Sequence, residues 1–156
     1  MRKIEDLTPE EVLRLAIAIE RRNEKIYAEY AMIFMDYEPA AAGIFHGMAK
    51  EEAKHGDLLQ TFYRKKFSSD PQQDFLEEIK EPVEAPMLAD GEVFVFDGMT
   101  PHAAFEVAKR TEQLAKAFYE ELVAKTQDEG LRAVYEELAE MEAEHLHEAE
   151  ESERAY

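Results

Sequence analysis

The chain reads as an all-α protein, a four-helix bundle made of two duplicated helical hairpins joined by a long crossover. Three observations predict it: apolar residues recur every three or four positions in four long segments, glycine and proline cluster between them, and the two halves repeat the same markers. Thr8-Pro9 recurs as Thr100-Pro101, 92 positions later. Each pair reads as a helix start, with Thr as N-cap and Pro at the first helical position, where a missing N–H costs nothing. Twelve residues beyond each Thr stands a glutamate, Glu20 and Glu112, and seven further a tyrosine, Tyr27 and Tyr119. Later in each half comes Glu-x-x-His, as Glu52 to His55 and Glu142 to His145, offset by 90.

The four helices are expected near 9–36, 41–66, 101–127 and 130–154, within one domain over 1–156. At 1.5 Å per residue each is about 35–40 Å long. Short connections, Tyr37 to Ala40 and Gln127 to Gly130, make the partners within each hairpin antiparallel. The crossover, 67–100, is long for a structureless loop and can run the length of the bundle. Its Glu92 to Phe96 stretch reads as an apolar strap rather than a strand, because no partner strand is visible.

Composition narrows the function. The chain has 156 residues with 18 Lys+Arg against 36 Asp+Glu, a formal net charge of −18. Nucleic acid and anionic membranes are excluded as partners, since both need a cationic surface. No run of about 18 apolar residues exists to span a membrane, and the charged N-terminus lacks the apolar core of a signal peptide. Zero cysteines remove disulfides, thiolate metal sites and thiol nucleophiles, so any metal must sit on oxygen and imidazole nitrogen. A cytoplasmic location suits that composition.

The helical stripes then select the ligand candidates. Leu13, Ala16, Glu20, Tyr27, Ala31 and Phe34 share one face of the first helix; Phe105, Ala108, Glu112, Tyr119 and Leu122 or Val123 share one of the third. On the second, Phe45, Met48, Glu52, His55, Leu59 and Phe62 align. On the fourth, Leu131, Leu138, Glu142, His145 and Ala149 do so. Each helix thus offers a carboxylate to the core, and two add a histidine one turn on. Four facing carboxylates repel in apolar surroundings, whereas two divalent cations balance their charge.

With 28 glutamates in the chain, a lone Glu-x-x-His is weak support. A third copy, Glu144 to His147, lies with Glu136, Glu140 and Glu151 on a solvated stripe and is rejected. Glu51 competes with Glu52, and the repeat decides for Glu52. The competing structural reading is a bundle whose glutamates pair with lysines such as Lys54 or Lys116. Tyr27 and Tyr119 read equally as core aromatics or as hydroxyls supporting the ligands. His46 and His102 have no partner at ligand spacing and read as surface or cap residues, and the methionines read as core filler.

A glutamate on each of two helices plus Glu-x-x-His on the other two resembles the ligand set of the ferritin-like di-iron carboxylate proteins. The segments LAIAIERRNEKIYAEYA with MAKEEAKH, and VAKRTEQLAKAFYEEL with LAEMEAEH, resemble the rubrerythrin branch, over all four helices but not the crossover. The resemblance implies Glu20, Glu52, His55, Glu112, Glu142 and His145 as ligands, through which any catalysis runs, with Glu52 and Glu142 bridging. It implies two iron ions, although this ligand set also accepts manganese or zinc.

It further implies reaction with dioxygen or hydrogen peroxide, an oxidative-stress or iron-homeostasis role, an external electron donor and a homodimer. A non-catalytic iron-binding or buffering protein is the alternative. Peroxide-reducing rubrerythrins carry a cysteine-ligated rubredoxin-like site and an additional glutamate where Ala115 stands here. Both departures weigh against a peroxidase with a built-in electron relay.

Overall fold

The computed structural model describes residues 2–71, 83–84 and 98–156. Among them the chain forms four long helices: α1 (Pro9–Phe34), α2 (Pro39–Phe67), α3 (Pro101–Lys125) and α4 (Glu129–Ala155). Before α1 come a two-residue strand, β1 (Arg2–Lys3), and a turn of 3-10 helix over Ile4–Asp6. β1 pairs in parallel with β2 (Val83–Glu84), with Arg2 opposite Val83 and Lys3 opposite Glu84. No strand was expected in that pairing, because a two-residue strand carries no periodicity to read. The Glu92 to Phe96 stretch lies outside the described residues.

The helix starts follow their caps. The Thr8 hydroxyl accepts from the Glu11 amide at 3.2 Å, and the Glu11 carboxylate accepts from the Thr8 amide at 2.8 Å, a reciprocal capping box. Thr100 accepts from the Ala103 amide at 3.2 Å, and Asp128 from the Leu131 amide at 2.9 Å. The expected connection Tyr37 to Ala40 is shortened by the structure: Pro39 is the first residue of α2, where its fixed φ suits a helix start. α2 ends at Ser68, whose φ of 53° turns the chain out of the helix.

α1 packs along α2 and α3 along α4, as two hairpins. Within the first, the Arg21 guanidinium lies across Gly56, donating to Ala53 O at 3.2 Å and to Asp57 and Gln60 at 2.7 Å each. A Cβ at Gly56 would come within 2.7 Å of that guanidinium, so glycine makes room for it.

The core divides in two. One half gathers Leu13, Leu15, Ile19, Leu59, Phe118, Leu131 and Leu138 near the start of α1. The other gathers Tyr27, Tyr30, Phe34, Phe45, Met48, Met99 and Phe105 near its end. Phe45 and Phe105 stack across the hairpins with centroids 4.4 Å apart. Between the two halves lies a layer of charged side chains. Tyr37 at the α1–α2 connection donates to Met99 O at 3.2 Å, so the chain leaves α2 at one end of the bundle and begins α3 at the other.

Met48 and Met99 are buried, but Met32 and Met35 are 72% and 60% exposed. The reading of methionines as core filler fails for these two, because they fall one position off the inward stripe residues Ala31 and Phe34. The contrast is testable by urea unfolding. Leu138→Ala, at a fully buried site, should cost about 2–5 kcal/mol. Met32→Ala should stay within about 0.5 kcal/mol.

Candidate metal centre

Glu20, Glu52, Glu112 and Glu142 are each 0% exposed, while His55 and His145 are at most 6% exposed. One carboxylate comes from each helix, and the two histidines from α2 and α4. The structure brings all six sequence-selected residues into the single layer that separates the two apolar halves of the core.

Both imidazoles turn Nδ1 toward the carboxylates. His55 Nδ1 lies 3.2 Å from Glu142 Oε1 and 3.3 Å from Glu20 Oε2. His145 Nδ1 lies 3.1 Å from Glu52 Oε1 and 3.8 Å from Glu112 Oε2. The rings stack with centroids 4.9 Å apart. Potential ligand atoms of Glu52, His55, Glu142 and His145 all lie within 4.8 Å of one another.

Both tyrosine hydroxyls reach glutamates of the layer, and they do so across the repeat. Tyr27 donates to Glu112 Oε1 at 2.6 Å, and Tyr119 donates to Glu20 Oε1. α1 and α3 run antiparallel, so the tyrosine seven residues past one helix's glutamate stands level with the other's. Burial, reinforced by the surrounding carboxylates, holds both phenols far above their ordinary pKa, so each remains a donor.

The four carboxyls separate into two kinds. Burial, then the charges of the other glutamates, raises Glu52 and Glu142 well above the usual range. Burial also pushes on Glu20 and Glu112, but their close contacts outweigh it and hold both low. Those contacts are Glu52, His55 and Tyr119 for Glu20, and Glu142, His145 and Tyr27 for Glu112. Burial alone would lower His145, yet Glu112 beside it raises it.

Among the described residues, Glu52 Oε2, Glu112 Oε2 and both oxygens of Glu142 are buried without a well-formed hydrogen bond, although His55 Nδ1 stands 3.2 Å from Glu142 Oε1. Buried carboxylate oxygens are expensive to leave unsatisfied. Lys54 and Lys116 do not relieve them: these lysines pair at 2.7 Å with Glu51 and at 3.0 Å with Glu120. Oxygens without a well-formed hydrogen bond, imidazole nitrogens and excess negative charge together fit divalent cations. The residues present therefore suit a two-metal centre.

A groove of about 320 Å³ lies outside the histidine pair, between α2 and α4, and His55 and His145 form part of its wall. Its rim carries Glu51, Lys54, Glu137 and Glu144, residues that sequence reasoning did not connect with the site. The rejected pair, Glu144 and His147, is exposed, as is the stripe containing Glu136, Glu140 and Glu151. Asn23, one turn past Glu20 on α1, is a buried polar residue that was also missed.

One further expectation needs correcting. His102 does have partners at ligand spacing: it forms a cluster with Glu106, one turn on, and with Glu153 of α4. Glu106 was visible at i+4, whereas Glu153 joins only through the α3–α4 pairing. The cluster is largely exposed, and Glu153 is shared with Lys109 at 2.5 Å.

The family model described as rubrerythrin matches residues 11–152. The chain belongs to the rubrerythrin family. This rubrerythrin-family chain also has the fold of an uncharacterised conserved protein from Magnetospirillum magnetotacticum MS-1, known from a crystal structure. The two share 24% identity with a TM-score of 0.72, over 96% of this chain and 95% of that one. No curated protein sequence matches the chain. Among the described residues, no helix is long and apolar enough to cross a membrane.

The tyrosine bridges give a direct test. Tyr27→Phe leaves Glu112 Oε1 without its phenol donor. The metal-free protein should lose about 1.5–3 kcal/mol, as for a hydrogen bond to a charged group. Urea unfolding in the presence of a chelator checks it.

Proposed function

We propose that this rubrerythrin-family chain is a di-iron carboxylate protein that reacts with dioxygen or hydrogen peroxide. One observation carries the reading: a buried layer of four glutamates and two histidines in which, among the described residues, four carboxylate oxygens lack a well-formed hydrogen bond. Glu20, Glu52, His55, Glu112, Glu142 and His145 would hold the two ions. The chemistry that bound iron would supply there is electron transfer to the oxidant.

The chain's own residues do the rest. Tyr27 and Tyr119 fix the orientation of Glu112 and Glu20 by donating to one oxygen of each, which leaves the other oxygen turned toward the layer. The apolar halves of the core above and below keep bulk water from the carboxylates. The groove beside His55 and His145 is the opening through which a cation or a small oxidant reaches the layer, and its acidic rim favours cations. With no cysteine in the chain, the electrons that restore the reduced state come from an external donor. A reducing cytoplasm is the compartment that suits such a protein.

The net charge of −18 and the acidic groove rim favour a second reading, in which the same centre binds and buffers iron without turnover. Reaction with oxidant separates the two. Metal-free protein loaded anaerobically with Fe(II) should take up two irons per chain. Admitting air or peroxide should then produce ferric absorbance far faster than the same iron gives in buffer. Uptake of two irons with oxidation no faster than in buffer would leave the buffering reading standing and remove the enzymatic one.

Glu52→Gln tests the site itself. The amide matches the neutral form that burial and neighbouring carboxylates already favour, so metal-free stability should change by no more than about 1 kcal/mol. Metal content, measured by elemental analysis, should fall below two per chain. Unchanged content would refute the assignment of Glu52.

A further inference from the structure

Each of the crossed tyrosines packs on a second ring, and what lies beyond that ring differs between the two halves of the repeat. Tyr27 of α1 meets Phe45 of α2 with centroids 6.2 Å apart and planes at 31°. Tyr119 of α3 meets Tyr135 of α4 at 6.1 Å and 28°. The two contacts are equivalent, since Phe45 and Tyr135 are related by the same offset of 90 as Glu52 and Glu142. Beyond them the symmetry breaks. Phe45 stacks on Phe105 at 4.4 Å, and Phe105 stacks at 5.4 Å on Tyr156, which is 39% exposed. Phe45 also stacks on Phe34 at 5.8 Å, and Phe34 meets Tyr37, 53% exposed, at 5.6 Å. In the other half the equivalent of Phe105, at the offset of 92 that relates Glu20 to Glu112, is Leu13.

Continuous ring contacts therefore run from the metal layer to the end of the bundle where α1 and α4 finish. They start at Tyr27, whose hydroxyl donates to Glu112 Oε1 at 2.6 Å. Among the described residues the Tyr119 branch stays inside, because its ring neighbours Phe118 and Tyr135 are both buried. The hydroxyls divide in the same way. A phenol that gives up an electron in apolar surroundings must also shed its proton, or it becomes a buried unpaired charge. Tyr27 has a carboxylate to take that proton. The hydroxyls of Tyr135 and of Tyr30, another neighbour of Phe45, are buried without a well-formed hydrogen bond.

We infer that the stack Tyr27, Phe45, Phe105 and Tyr156, with its branch through Phe34 to Tyr37, is a relay that carries electrons from the surface to the metal layer. The tyrosines are the groups oxidised and restored; the phenylalanines, far harder to oxidise, are close-packed bridges between them. The inference rests on the di-iron reading and adds to it the route by which an external donor, kept off the layer by the apolar core, delivers its electrons.

The electron count with dioxygen as oxidant shows what the relay does. Dioxygen takes four electrons and four protons to become two waters, and a pair of Fe(II) ions gives two of the electrons. Tyr27 gives the others one at a time, passing each proton to Glu112. It is refilled after each by Tyr156 or Tyr37, and Glu112 then returns the proton. Tyr156 and Tyr37 each end as a neutral phenoxyl radical, having lost one electron to the relay and one proton to water. A one-electron donor at the surface, with a proton from water, restores each phenol.

The test exposes the Fe(II)-loaded full chain to dioxygen with a nitroso spin trap present. Trapped sites are mapped by peptide mass spectrometry while ferric absorbance is followed. Adducts should form on Tyr156 and Tyr37 and be absent from Tyr30 and Tyr135. Phe105→Leu, the residue the repeat itself carries at Leu13, should lose the adduct on Tyr156 and keep that on Tyr37. Phe34→Leu should do the reverse, and Tyr27→Phe should lose both. Iron content and growth of ferric absorbance in the two leucine variants should match the parent.

A Tyr156 adduct that persists in Phe105→Leu would point to freely diffusing radicals and overturn the inference. Both adducts persisting in Tyr27→Phe would do the same. Rapid ferric absorbance in the parent with no tyrosine adduct would remove the relay and leave the di-iron reading intact. Ferric absorbance no faster than in buffer would remove both.

Discussion

Four carboxyl groups stripped of water and facing one another are the constraint on which the rest of this molecule depends. A bundle of this length could fill its middle with leucine and be more stable for it. Instead the apolar core is interrupted by Glu20, Glu52, Glu112 and Glu142, with His55 and His145 between them. Like charges at that separation cannot all stay ionised without counter-charge. In the metal-free molecule burial and the neighbouring glutamates push Glu52 and Glu142 up, while close contacts with donors hold Glu20 and Glu112 low. Among the described residues, four oxygens of the layer nonetheless lack a well-formed hydrogen bond.

The surrounding architecture makes that layer tolerable. Stacked aromatics such as Phe45 and Phe105 close one side, and aliphatic residues such as Leu59 and Leu138 close the other. The crossed tyrosine bonds tie α1 to α3 in the one register that places both glutamates in the layer. The same bonds link the two halves of the repeat, so the duplication yields a centre that neither hairpin could complete alone. Exposed ion pairs on the outside, such as Lys116 with Glu120, contribute little by comparison.

Much of this was legible in the sequence, because helical periodicity assigns a face to every residue. The periodicity separates Glu142 and His145 from Glu144 and His147, although both pairs have the same spacing, and the structure buries the first pair and exposes the second. What was not legible depends on contacts between helices. The exchange of Tyr27 and Tyr119 between the two glutamates follows from the antiparallel pairing of α1 with α3, which a single-helix pattern does not contain. Glu153 beside His102 is of the same kind, as are the groove over the histidines and the hydroxyl of Tyr135. Met32 and Met35 show a different limit, since residue type alone said core and their position on the helix said surface.

Whether the charged layer holds two cations is read out by anomalous diffraction from crystals of the iron-loaded chain. Two iron peaks are expected within the layer formed by Glu20, Glu52, His55, Glu112, Glu142 and His145. A single peak, no peak in the layer, or iron only at His102, Glu106 and Glu153 would contradict it.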